Sequence, residues 1–141
     1  MTFPLQVIIE WSRLHDDHDG WDAMGCLYAY QAPRGKELLY IGKAWGVSVR
    51  GRWQYAAKSG FWDDLETQRN IRKHIPLVGE LWLPERNRLT SKLLADVESL
   101  LIHQVQPWGN IQCINSRRSR PGLEVRCRGE WPLPNRTFCD E

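Results

Sequence analysis

The chain has 141 residues, enough for one domain with a core of its own and too few for two full domains. Hydrophobic residues at 42% and charged residues at 26% exclude a disordered chain, and no apolar run reaches the length of a membrane span. The net charge of +2 decides nothing about a nucleic-acid partner, because the placement of charge matters more than its sum.

In chain order, PLQVIIEW reads as an opening strand, and the segment lacks the basic stretch and long apolar run of a leader, so the expected location is cytoplasmic with no membrane partner. SRLHDDHDGWDAMG has the Asp and Gly content of a loop. Its His15, Asp16, Asp17, His18 and Asp19 follow no metal-ligand spacing, and a solvated turn is the expectation. GCLYAYQ and ELLYIGKA, parted by APRGK, form a hairpin signal. SVRGRWQYAAKS reads as a helix capped by Ser48, with Val49, Trp53 and Ala57 on one face. DDLETQRNIRKH continues as a second helix and IPLVGELWL as a third strand. A long helix runs from about Thr90 to Gln106 and stops at Pro107. IQCI and LEVRCR are short strands around SRRSRPG. Cys26, Cys113, Cys127 and Cys139 contain no CxxC pair and read as reduced structural cysteines, while eight tryptophans are assigned to the core.

Two places resist a purely structural reading. LYIGKAWG ends a strand on Tyr40, Gly42 and Lys43, a phenol, a bare backbone and a cation, which together suit a phosphate. On the long helix, Lys92, Asp96, Ser99, His103 and Gln106 form a polar stripe that faces away from the leucines. Glu98 belongs to neither group, lying beside Leu94, Ile102 and Val105 where a carboxylate loses hydration unless a cation or donors meet it.

These residues come in a definite order: Tyr28, then Tyr40, Gly42 and Lys43, then Arg50 and Arg52, then Glu98, then Asn110. In that order the chain resembles the GIY-YIG nuclease family, with CLY at 26 to 28 in place of the first motif and YIG intact at 40 to 42. ESLLIHQVQPWGN, residues 98 to 110, is similar to the family's closing glutamate, apolar helix, proline and asparagine. The resemblance covers roughly residues 24 to 112 of a single domain, leaving an N-terminal strand and loop at 1–23 and a basic extension at 113–141. It implies an α+β fold, a small central antiparallel sheet of three core strands flanked by helices, and a metal-dependent endonuclease acting on DNA.

The chemistry can be set out residue by residue. Glu98 is a sensible protein anchor for Mg²⁺, with Mn²⁺ as a substitute. A guanidinium stabilises developing negative charge on phosphate; Arg52 places Ser48, Val49 and Trp53 at cap and core positions, whereas Arg50 fits a direct count from Tyr40. Tyr28 orients or deprotonates the attacking water, and Tyr40 adds a second phenol. An ordinary phenol must fall by about three units to act as a base near neutrality, so Lys43 is assigned an electrostatic role beside it, together with the metal. Gly42 admits close backbone approach, and Asn110 holds the site together by hydrogen bonds. Many family members carry His or Tyr one turn after the arginine; this chain has Ala56, with Tyr55 adjacent as its substitute. Arg117, Arg118 and Arg120 are the expected nucleic-acid contacts. The alternatives are an inactive nucleic-acid-binding module of the same fold, and an RNA-cutting or toxin-type nuclease. A protein partner would supply targeting or inhibition.

Overall fold

The computed structural model describes residues 5–85, 87–113 and 120–140. Strand β1 spans Leu5–Arg13, and a short 3₁₀ turn at Asp19–Asp22 leads to β2, Cys26–Gln31, and β3, Leu38–Ala44. Helices α1, Val49–Lys58, and α2, Phe61–Arg69, precede β4, Ile75–Trp82. Helix α3, Ser91–Val105, is followed by a 3₁₀ segment at Trp108–Cys113, then by β5, Leu123–Gly129, and β6, Thr137–Cys139. The fold is α+β.

Local chemistry accounts for most of these boundaries. The Ser48 hydroxyl accepts from the Gly51 N–H at the start of α1, and the Thr90 hydroxyl accepts from the Leu93 N–H at the start of α3, each satisfying a donor the helix leaves open. Helix α2 ends sooner than the sequence suggested, because Asn70 adopts a left-handed conformation, φ 53°, and returns its N–H to the carbonyl of Glu66. The segment expected as the strand IQCI begins instead as 3₁₀ turn.

The sheet is larger than the three strands expected. Among the described residues it has six, in the order β3-β2-β4-β1-β5-β6. Neighbours from β3 to β1 pair antiparallel, β1 and β5 pair parallel, and β5 and β6 pair antiparallel. The reading of 1–23 and 113–141 as flanks therefore understates them, since β1 is a central strand and β5 and β6 complete the sheet beside it. Strand alternation divides the core in two. Leu27, Ala29, Ile41 and Leu77 face α3, with Val7, Ile9 and Trp11 in the same cluster. Cys26, Tyr28, Tyr30 and Val78 face the other way, against Val49 of α1 and Leu65 of α2. Strand β3 is an edge, and it is there that the two layers meet.

The polar stripe of α3 is not uniformly solvated. Asp96 is only 3% exposed, and the Arg120 guanidinium donates to it at 2.8 Å. The reason is tertiary: Arg120, which precedes β5, lies over the helix, and its own N–H donates to Asp140. Cys26, Cys127 and Cys139 are free thiols. Among the described residues, no helix is long and apolar enough to cross a membrane.

An aromatic stack joins α1 and α2 to the strands. His74 lies flat on Trp62, ring centroids 4.0 Å apart, and its Nε2 accepts the Trp53 indole N–H at 3.1 Å. Burial pushes the His74 imidazole down to about 4, so it stays neutral and keeps that acceptor. Between about pH 4 and 6.5 the unfolded chain binds more protons at this residue than the folded one, so its contribution to stability rises with pH across that window. Thermal melts of wild type and His74→Phe over pH 4 to 7 should show that rise in wild type and a smaller one in the variant.

Candidate active site

The site starts from the register of the hairpin. Opposite each other on β2 and β3 stand Tyr28 and Gly42, and Tyr30 and Tyr40, all on the face toward α1 and α2. The space at Gly42 is filled by a neighbour: a Cβ there would collide with Cζ and the hydroxyl of Tyr28 and with the Tyr40 ring. Glycine is needed for room rather than for backbone freedom. The Tyr28 phenol lies across the bare strand, and the backbone approach expected at Gly42 is made by a tyrosine of the protein itself.

These rings line a cleft of about 170 Å³. Helix α1 closes it with Arg52, Tyr55 and Ala56, and Ser59 and Phe61 complete the wall. The chain has four tyrosines, and all four face this cleft. Its lining is therefore phenols, one alcohol and one guanidinium; among the described residues no carboxylate lines it. A larger cavity of about 470 Å³ lies over β1 and β4, but Glu10, Glu80 and Asp19 line it, which makes it a poor receptor for an anion.

Helix geometry separates the two arginines. Two residues apart, they leave opposite sides of α1. Arg52 lines the cleft, and its Nε is buried with no hydrogen-bond partner among the described residues. Arg50 turns outward to sit 5.5 Å over the Trp21 ring and 3.6 Å from Asp22. Tyr55 stands at the rim, 65% exposed.

Glu98 approaches from the other layer. Burial pushes its carboxyl above the ordinary carboxylate value, while Lys43, Arg52 and a hydrogen bond from the Lys43 backbone N–H pull it back. Arg52 also acts on Tyr28, so this one cation couples the α3 carboxylate to the cleft. Lys43 does not take the place the sequence suggested beside Tyr28. It is registered with Leu27, on the α3 face, so its charge falls on Glu98. The Tyr28 phenol is raised, first by burial and then by Tyr40, Tyr30 and a hydrogen bond with the Tyr40 hydroxyl. In this arrangement Tyr28 keeps its proton, so the deprotonating role the sequence suggested is disfavoured.

Asn110 is buried and does not reach the cleft. Its Oδ1 accepts from the Ile41 N–H at 2.9 Å and its Nδ2 donates to the Ile41 carbonyl at 2.9 Å, taking up both outward-facing groups of the edge strand. Gly109 makes the approach feasible, since a Cβ there would meet the Leu39 carbonyl at 2.8 Å.

Of the expected site residues, Tyr28, Tyr40 and Arg52 line the cleft with Tyr55 at its rim, Glu98 and Lys43 meet at the β3 edge, and Asn110 braces that edge. Arg120 is engaged with Asp96. Arg117 and Arg118 lie outside the described residues. Tyr30 was missed, although its spacing of two from Tyr28 on a strand places both on one face. The Glu98 carboxylate is a hard oxygen donor, which suits Mg²⁺ or Mn²⁺ better than a softer ion. A single carboxylate leaves most of the coordination sphere to water and phosphate. Among the described residues, no group of three or more His, Cys, Asp or Glu is placed to hold a metal without such help. Compared with protein-family models, curated proteins and solved structures, the chain gives no match.

Asn110→Ala strands the N–H and carbonyl of Ile41 and should lower unfolding stability by about 2–4 kcal/mol in chemical denaturation. Gly42→Ala should cost about 1–3 kcal/mol by overpacking, and should disturb the tyrosine near-ultraviolet dichroism more than Asn110→Ala does, because it displaces the Tyr28 ring directly.

Proposed function

We propose that the chain is a metal-dependent endonuclease of the GIY-YIG type, hydrolysing phosphodiester bonds in DNA. The observation that carries this reading is the cleft itself: every tyrosine of the chain and Arg52 line one small space, and the Arg52 charge also acts on Glu98 at the neighbouring edge. Such a lining supplies donors to an oxyanion and no competing negative charge.

In this reading Arg52 binds the non-bridging oxygens and stabilises the charge that builds on them. Tyr28, which keeps its proton, and Tyr40 orient the attacking water and donate to phosphoryl oxygens. Water oxygen bonds to phosphorus as the bond to the leaving oxygen breaks, and the proton the water loses is balanced by the one that oxygen takes up. Glu98 would hold Mg²⁺ or Mn²⁺, which supplies Lewis-acid polarisation of the phosphoryl group and acidifies a bound water. Lys43 steadies the Glu98 carboxylate through charge and its backbone N–H. Asn110 keeps β3, and with it Tyr40 and Gly42, in place. A second reading, a module that binds nucleic acid without turnover, draws on Ala56, which brings no polar group to the cleft wall where many family members carry His or Tyr.

Supercoiled plasmid incubated with the purified protein should be nicked or linearised with Mg²⁺ or Mn²⁺ and left intact with EDTA or with Glu98→Gln. A wild-type protein that retards the plasmid without cutting it would favour the binding module instead. Because burial raises the Glu98 carboxyl, the folded chain binds more protons there than the unfolded one just above the ordinary value of 4.5, and the contribution to stability falls as pH rises. Glu98→Gln removes that charge, so at pH 7 its melting temperature should equal or exceed that of wild type while cleavage is lost. An inactive variant that melts well below wild type would attribute the loss to folding.

A further inference from the structure

Not every tryptophan joins the core: Trp45 is 41% exposed and Trp82 56%. A single exposed apolar side chain is ordinary, whereas a group of them beside a candidate site calls for a reason. Trp82 lies on β4 opposite Ile8 of β1, away from the site. Met24, Trp45 and Val47, all exposed, crowd onto the two loops at the end of the hairpin where Lys43 meets Glu98. Those loops are strapped together, since the Gly25 N–H donates to the Ala44 carbonyl at 2.6 Å and the Val49 N–H to the Ala23 carbonyl at 3.1 Å.

Placement separates the three. Met24 lines the cavity that holds Glu10, Glu80 and Asp19, where a phosphate chain is repelled. Val47 packs its Cγ1 over Gly51 of α1, so closely that a Cβ there would meet it at 2.7 Å. Trp45 stands two residues beyond Lys43, a span of at most about 7 Å along the chain. A Cβ on Gly25 would touch the Trp45 ring at 3.9 Å and Leu89 at 3.7 Å, and Leu89 packs with the α3 layer. The indole therefore lies toward the side of the sheet from which Glu98 comes, and it is open to solvent.

An exposed flat ring beside a carboxylate suited to a phosphate-bound metal fits a ligand that carries phosphate and a flat ring together. Indole stacks on any nucleobase, because every base has a π-face. In a continuous duplex both faces of a base are covered by its neighbours, so only a single strand or a locally opened one can present a base to Trp45. A protein is a poorer fit: a stable protein interface takes roughly 20–30 residues a side, and here the apolar surface gives way at Met24 to an acidic cavity.

We propose that Trp45 is a base-stacking residue that holds the nucleotide next to the scissile phosphate, which makes single-stranded or locally opened nucleic acid the substrate class. This deepens the nuclease reading and rests on it for the phosphate at Glu98. Supercoiled plasmid, which negative supercoiling opens locally, is a substrate on this account, and relaxed linear duplex is the poor one.

The test uses the full chain labelled with 5-fluorotryptophan, whose eight tryptophans supply eight ¹⁹F resonances, with Trp45 assigned by Trp45→Phe. The probe is a short single-stranded oligothymidylate, titrated in EDTA so that nothing is cut, beside a linear duplex of the same length. The Trp45 resonance should shift saturably with the oligothymidylate. Trp45→Leu should bind it roughly 5-fold to 20-fold more weakly, within the range for one stacked base, while Trp45→Phe keeps most of the affinity and duplex binding changes by less than about 2-fold. A Trp45 resonance that ignores the oligothymidylate, or a Trp45→Leu variant that loses single strand and duplex equally or loses neither, would overturn the proposal. A dimer in sedimentation that Trp45→Leu splits would overturn it too, assigning the face to a second copy of the chain. Should wild type stack the oligothymidylate on Trp45 and cut no nucleic acid with Mg²⁺, the nuclease reading falls while the stacking site stands. Should it cut linear duplex as fast as single strand, and Trp45→Leu do the same, the stacking proposal falls while the nuclease reading stands. If Trp45→Leu melts well below wild type, the wild-type titration and Trp45→Phe decide.

Discussion

An edge strand is the constraint on which the site depends. β3 closes one side of the sheet, and every second residue along it turns a backbone N–H and carbonyl away from β2. At Ile41 the amide of Asn110 takes both groups, in the manner of a neighbouring strand one residue long. Next along, the Lys43 N–H is met by the Glu98 carboxylate. Two side chains from the far end of the sequence thus seal the strand that carries Tyr40 and Gly42. The same contacts hold the hairpin, α3 and the Trp108–Cys113 turn in one fixed relation.

Sheet alternation then sorts the chemistry by face. The phenols lie on the α1 and α2 side, while Lys43 and the helix bearing Glu98 lie on the other. The Glu98 carboxylate is set round the edge from the phenols, where Lys43 and Arg52 act on it. Only a long side chain can serve both sides. Arg52 does so from α1, acting on Tyr28 and on Glu98 together. A lysine in its place would bring one point charge without the planar fork, and one of the two relations would weaken.

The cleft is also expensive to maintain. Tyr30 and Arg52 keep buried donors without partners among the described residues, and burial disfavours the charged form of Glu98. Their persistence relies on the packing behind them, where Trp62, His74, Trp53 and Phe61 form an aromatic wall. The Trp53 N–H donating to a neutral His74 locks α1 to the segment after α2, and this holds Arg52 at a fixed height above the strands. Polar strain in the front layer and apolar packing in the back layer are parts of one arrangement.

Much of this was legible in the residues themselves. The two helix caps, the hairpin and the stop at Pro107 follow from local chemistry, which acts within a few residues and needs no tertiary context. The order of Tyr28, Tyr40, Arg52, Glu98 and Asn110 was visible as well. What the sequence could not decide was which groups would meet, because that depends on contacts between segments far apart in the chain. Asp96 looked like part of a solvated stripe until Arg120 arrived from 24 residues away. Lys43 looked like a neighbour of Tyr28, and strand register sent it to Glu98 instead. Tyr30 was not singled out in the sequence, and only the closing of α1 and α2 over it left its hydroxyl buried with no partner among the described residues. Sequence determined the elements and the inventory of reactive groups; the tertiary structure decided their partners, because register and layer packing set which face each side chain leaves from.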